Sequence, residues 1–317
     1  QGDKRAASRA EKILNQMKDL SDAGNLGVQP NVKSYNTVIK AWAKSGEKGL
    51  PSRAEQILFD MERQCQEGKL HLRPNTISYN TVINALAKSL EPGAAERAET
   101  ILSNMLERQR NGEKDVLPNV ISFNAVLDAW ARSGDKRATS RADQILKHMT
   151  ELYESGNKNV QPDVLTYNTV LNAWSKSSER GAALRAEHIL NSIRELSEDG
   201  NNSVKPDVRT FTTVINACAL TKHKDDLDEA LKIAMRVFKQ LSSQKNISPN
   251  GHTFSIMLLA YDNLLPKKDE DRRYSLCKRL FEECCEAGYV DEYVLNALRK
   301  AVNEKQYNEL LGSYNKS

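Results

Sequence analysis

Six side chains recur at one place in a repeated phrase, and they are the part of the chain best suited to chemistry. Asn36, Asn80, Asn124 and Asn168 stand 44 residues apart, and Thr212 and Ser255 continue the column. Asparagine forms helices less well than alanine by roughly 0.5 kcal/mol, so four in one slot need a reason. An amide carries donor and acceptor together, which suits it to the edge of an unstacked nucleobase. The other reason would be a ladder of side-chain hydrogen bonds between neighbouring elements. A second column is Asn31, Asn75, Asn119, Asp163, Asp207 and Asn250. Capping of helix N-termini explains Asn and Asp there, and base pairing is compatible with it. A third column, Lys44, Lys88, Arg132 and Lys176 and then Leu220, draws a line of positive charge. It suits a phosphate backbone, or the negative ends of helix dipoles. Lys33, Ile77, Ile121, Leu165, Arg209 and His252 form a fourth column of apolar or cationic groups able to wedge between bases.

These columns are positioned by a phrase that opens on proline. PNVKSYNTVI from Pro30 returns as PNTISYNTVI from Pro74, PNVISFNAVL from Pro118 and PDVLTYNTVL from Pro162. Weaker copies, PDVRTFTTVI and PNGHTFSIML, start at Pro206 and Pro249. A fixed period of this size is the signature of a solenoid in which each unit touches only its neighbours. The residue before each proline is pushed toward extended geometry, and the residue after it is a favoured N-cap, so a first helix starts there. In that helix Tyr35, Val38, Ile39 and Trp42 make an apolar stripe for packing between hairpins. Lys33, Asn36, Lys40 and Lys44 lie within about 80° on the opposite, polar face.

A second helix carries the stripe Ala10, Ile13, Leu14, Met17, repeated as Ala54, Ile57, Leu58, Met61 and then around Ala98, Ala142, Ala186 and Ala230. Gly46, Pro51, Pro92, Gly93, Gly134 and Gly181 are the turn residues between the two helices. Gly24, Gly68, Gly112, Gly156 and Gly200 stand where a left-handed C-cap ends the second helix. The expected division is a truncated repeat over 1–31, full repeats over 32–75, 76–119, 120–163, 164–207 and 208–250, and a divergent sixth over 251–291. A capping helix and tail occupy 292–317. Opening midway through a repeat, the chain reads as an excised fragment, with any targeting peptide upstream.

The net charge is only +4, so a polyanion must be met by a local patch. Cys65, Cys218, Cys277, Cys284 and Cys285 show no CxxC spacing, which points to reduced thiols outside the secretory route. Side chains of the adjacent Cys284 and Cys285 would diverge by about 100° on a helix, which argues against a shared metal or redox site. His71, His148, His188, His223 and His252 are scattered. No HExxH or phosphate-cradling GxxxxGK[ST] is present, and no apolar run approaches the ~20 residues of a membrane span. We therefore expect no enzyme, no cofactor and no bound metal.

The phrase P-[ND]-V-x-[ST]-[YF]-N-T-[VL]-[IL], followed by a second helix with RAExIL and a methionine, resembles the pentatricopeptide repeat family from about residue 8 to about 300. The family unit is about 35 residues, and the extra length here falls in the loops. The resemblance implies an all-α fold, a right-handed α-solenoid of helix-turn-helix repeats. It implies a monomer that binds single-stranded RNA, in a mitochondrion or plastid, alongside other RNA-processing factors.

In the family, base choice is set by the Asn/Thr/Ser column together with the residue after the next proline. Carried over, Asn36 with Asn75, and Asn80 with Asn119, resemble pyrimidine readers with C preferred. Asn124 with Asp163, and Asn168 with Asp207, resemble readers of U. Thr212 with Asn250 resembles an A reader, and Ser255 with Asp291 a G reader. The implied target is 5′-YYUUA(G)-3′. Two rivals stand beside this reading: a peptide-binding scaffold of the tetratricopeptide type, and the RNA-binding part of a larger RNA-processing enzyme.

Overall fold

The computed structural model describes residues 2–44, 50–89, 91–200 and 203–314. Gly46, expected in a turn, lies outside them. The chain divides into two units, residues 1–162 and 163–317.

Among the described residues the first unit holds seven α-helices. They are α1 (Gly2–Asp22), α2 (Val32–Lys44), α3 (Leu50–Gln66), α4 (Thr76–Ser89), α5 (Ala94–Arg110), α6 (Val120–Ser133) and α7 (Ala138–Glu154). The first helices α2, α4 and α6 lie side by side, each packed against the second helix of its own hairpin and against the one before. Tyr35, Val38, Ile39 and Trp42 are buried as their spacing requires, and so are Ala54, Ile57, Leu58 and Met61. Burying each such large side chain stabilises the hairpin stack by about 2 kcal/mol. In α1 the same stripe is covered unevenly: Leu14 is buried while Ile13 is half exposed. Pro51, expected in the turn, is the second residue of α3. Proline's fixed φ and missing N–H are tolerated in the first turn of a helix.

The second unit holds α8 (Val164–Lys176), α9 (Ala182–Glu198), α10 (Val208–Ala219), α11 (Leu227–Ser242), α12 (Gly251–Leu264), α13 (Glu270–Glu286), α14 (Glu292–Ala301) and α15 (Glu304–Tyr314). Here α8, α10, α12 and α14 form the row of first helices. The last stretch, expected as one capping helix and a tail, carries two helices, and α15 docks through the buried Leu310. Asp291 caps α14, so the register of the sixth repeat is set by that helix start.

The glycines that follow the second helices share a left-handed backbone, with φ from 85° to 105° at Gly24, Gly68, Gly112, Gly156 and Gly200. Side chains resist that region, so glycine releases the chain toward the next proline. Short 3-10 turns at Leu26–Val28, Leu70–Leu72 and Lys158–Val160 take up part of the added loop length.

The RAE motif of the second helices gains a purpose in the fold. Arg53 pairs with Glu11, Arg97 with Glu55, and Arg141 with Glu99, each bond linking one hairpin to the one before. Arg236 with Glu187 at 2.8 Å plays the same part in the second unit.

Candidate nucleic-acid interface

The helix starts come first, because they place everything else. The Asn31 Oδ1 accepts from the backbone N–H groups of Lys33 at 2.9 Å and Ser34 at 3.1 Å. Asn75 accepts from Ser78 N–H at 3.1 Å. Asn119, Asp163, Asp207 and Asn250 each close a full capping box with Ser122, Thr166, Thr210 and Thr253. A cap of this kind contributes about 1 kcal/mol and fixes where each first helix begins.

One turn further on stand the amides. The Asn36 Nδ2 donates to the Asn75 Oδ1 at 3.4 Å, Asn80 to Asn119 at 3.3 Å, and Asn168 to Asp207 at 3.4 Å. The two columns that the family pairs across consecutive repeats are thus in hydrogen-bond contact at these three places. The ladder weighed against base reading is present, and it does not use up the amides. The Oδ1 atoms of Asn36 and Asn168 are buried with no hydrogen-bond partner. An acceptor left so costs about 1–3 kcal/mol, and, buried as these oxygens are, they must be uncovered before a ligand's N–H reaches them. Asn124 and Asn168 lie deeper than Asn36 and Asn80, which are half-buried. Thr212 and Ser255 are buried too; Thr212 Oγ1 donates to the Val208 carbonyl at 2.7 Å, and Ser255 Oγ to that of His252 at 2.9 Å.

In the first unit, a groove of about 580 Å³ runs between α2 and α4. Lys33, Asn36 and Lys44 line one wall, and Ile77 and Lys88 the other. Three of the four columns therefore meet in one cleft. The wedge column is exposed: Ile77, in this cleft, is 63% accessible, and Ile121, on α6, 55%. Leu165, on α8, is exposed as well. Isolated exposed aliphatics need no explanation, but the same slot in successive repeats does. No carboxylate lies within ion-pair distance of Lys44, Lys88 or Lys176 among the described residues, so their charge is available to a phosphate. Arg132 differs: its guanidinium is bound to Asp128 at 2.8 Å.

The second unit has a groove of about 670 Å³ between α10 and α12, with Asp207, Arg209, Thr212, Asn250 and His252 around it. Thr212 and Asn250, the pair expected to act together, both line it, though no hydrogen bond joins them directly. Asn172 and Asn216 also line this groove, as Lys40 and Asn84 line the first. Apart from Lys40, this further polar column escaped the sequence reading. Its signal was there, ten residues after each proline, as Lys40, Asn84, Asp128, Asn172 and Asn216.

The cysteines are all free thiols. Burial pushes Cys284 and Cys277 up to about 12, which leaves them poor nucleophiles at neutral pH. Among the described residues no helix is long and apolar enough to cross a membrane.

Comparison with known proteins follows the same lines. The family model of the pentatricopeptide repeat domain matches residues 19–89, 107–177 and 193–263, and a single-repeat model matches residues 77–109. The crystal structure of the pentatricopeptide repeat protein PPR10 from maize superposes with a TM-score of 0.59 at 20% sequence identity. The match covers 99% of this chain and 38% of that one, so the chain spans well under half of its structural relative. No curated protein matches significantly.

Proposed function

The chain belongs to the pentatricopeptide repeat family, and on that premise we propose that it binds single-stranded RNA along its first helices, about one nucleotide per repeat. The amide column and the helix caps choose bases. Lys33, Ile77, Ile121, Leu165 and Arg209 flank them, and Lys44, Lys88, Arg132 and Lys176 hold phosphates. In chain order the target is 5′-YYUUA(G)-3′, with Asn36 and Asn75 at its first nucleotide. The observation that supports this most is the cleft between α2 and α4, where a reading amide, wedge side chains and two lysines with no ion-pair partner among the described residues face one space. A peptide-binding scaffold has no need of that combination.

Binding itself is the mechanism: an occupied RNA is shielded from exonucleases, kept unfolded, or presented to another factor. The chain does this as a monomer, without a cofactor and without catalysing a reaction of its own. Its place of work is a mitochondrion or plastid, as for the family in general.

Ribohomopolymer binding tests the reading. Poly(U) and poly(C) are expected to be retained over poly(A), with affinity falling steeply as salt rises. Equal retention of all polymers, or of none, would overturn it, and the second result would favour a peptide ligand.

A further inference from the structure

Two repeats with the same pair of reading residues are wired differently. In both, the amide Nδ2 donates to the Asn cap of the next helix. The oxygens diverge. The Asn36 Oδ1 has no partner, while the Asn80 Oδ1 accepts a 2.6 Å hydrogen bond from the hydroxyl of Ser122. Ser122 is the capping-box residue of the next helix, and it stands 3.3 Å from its own cap oxygen on Asn119. One hydroxyl has one proton to give, and the shorter contact takes it. The equivalent Ser78 turns to its own cap, Asn75, at 3.2 Å.

We infer that the capping hydroxyl of one hairpin is a positioning residue for the reading side chain of the hairpin before it, and that at Asn80 it takes one of the two lone pairs of the amide oxygen and biases the amide toward donating. The same contact recurs in the second unit, where Thr253 Oγ1 lies 2.9 Å from Thr212 Oγ1. Thr212 gives its own proton to the Val208 carbonyl at 2.7 Å, and the Thr253 proton is shared between Thr212 and its own cap, Asn250 Oδ1, at 3.0 Å. Where the cap is a carboxylate the hydroxyl stays home: Thr210 donates to Asp207 at 2.8 Å, and the Asn168 Oδ1 is free. Charge makes the carboxylate the better acceptor.

The consequence is chemical. With one lone pair of its oxygen taken by Ser122 and one Nδ2 proton on Asn119, Asn80 offers a base one N–H and a weakened acceptor. That suits cytosine, whose N3 and O2 both accept. Uracil presents N3–H, which needs an acceptor. The Asn36 oxygen, buried but unpartnered, keeps both lone pairs and, once uncovered by a bound base, can serve either pyrimidine. Two repeats with the same reading pair should therefore differ, with the C-to-U affinity ratio higher at the second nucleotide than at the first.

This rests on the RNA reading above, and the test separates the two. Six-nucleotide RNAs differing only as C or U at nucleotide one or two are titrated against the full chain. Ser122→Ala should lower the C-to-U ratio at nucleotide two by about threefold or more, the worth of one hydrogen bond. Ser122→Thr should restore it. Ser78→Ala loses a comparable cap and should leave the ratio at nucleotide one unchanged. Should Ser122→Ala fail to fold, Ser122→Cys keeps the volume with a weaker donor and should shift the ratio the same way. If Asn80→Ala changes base preference at nucleotide two and the Ser122 variants do not, the inference falls and the RNA reading stands. A Ser78→Ala shift as large as that of Ser122→Ala also overturns it, as a general effect of cap loss. If neither Asn80→Ala nor the Ser122 variants alter preference, both fall.

Discussion

The groove between α2 and α4 and the groove between α10 and α12 are built on the same plan and carry different charge. The first has Lys33, Lys40, Lys44 and Lys88 around a half-buried amide. The second has Arg209 and His252 facing Asp207, and the slot that held a lysine holds Leu220. Both keep the helix caps and the reading side chain, so on the proposed reading both select a base. Among the described residues the first alone has a set of lysines without ion-pair partners, which on the proposed reading hold the backbone. On that reading a repeat does two jobs: grip, which depends on charge about two helix turns beyond the reading residue, and choice, which depends on the amide and the cap. A repeat can lose the first and keep the second.

That separation can be broken by experiment. The largest effect belongs to choice. Asn168→Thr together with Asp207→Asn should move preference at the fourth nucleotide from U to A, with total affinity for the preferred RNA little changed. Mismatches at a well-read position are worth about 1–3 kcal/mol, a range measurable by competition with single-nucleotide variants. A uniform loss across all four bases would show that the pair supports structure alone.

Grip comes next. Lys44→Ala and Lys88→Ala should each weaken every sequence by about fivefold near 0.1 M salt and flatten the salt dependence by about one counterion, as read from titrations across a salt series. Base preference should not move. The converse change, Leu220→Lys, should confer on the second groove the charge it lacks, raising affinity by up to about fivefold with a steeper salt dependence. No gain there would mean that the backbone does not pass that position. The smallest effect concerns Arg132, tied to Asp128 across one helix turn. Such exposed pairs are worth about 0.3–0.5 kcal/mol, so Asp128→Asn should raise affinity about twofold, seen best at low salt.

Much of the fold could be read from the chain because its signals are short-range. A proline, a capping Asn or Asp and a helical stripe act within one turn of one another, so their recurrence located the helix starts from Val32 to Gly251. The glycines after the second helices were legible for the same reason, since a left-handed residue is a local demand. Pro51 was misplaced because proline serves both turns and first helical turns. The helix at Glu304–Tyr314 was missed because its buried apolar anchor is one residue, Leu310, so it shows no apolar stripe of its own. The RAE motif was visible as a motif, but its role needed the neighbouring hairpin, which brings Glu55 beside Arg97.

The candidate site divides along the same line. Sequence alone determined the columns: which residue types recur, at what interval, and that they share a helix face. Those follow from the period of the repeat and the 100° step of the helix. The tertiary structure decided what each side chain still has to give. Whether an amide oxygen is free, as on Asn36, or taken, as on Asn80, depends on a hydroxyl some forty residues away and on differences of a few tenths of an ångström. Hydrogen bonds weaken within that distance, and the packing of one hairpin on the next sets it.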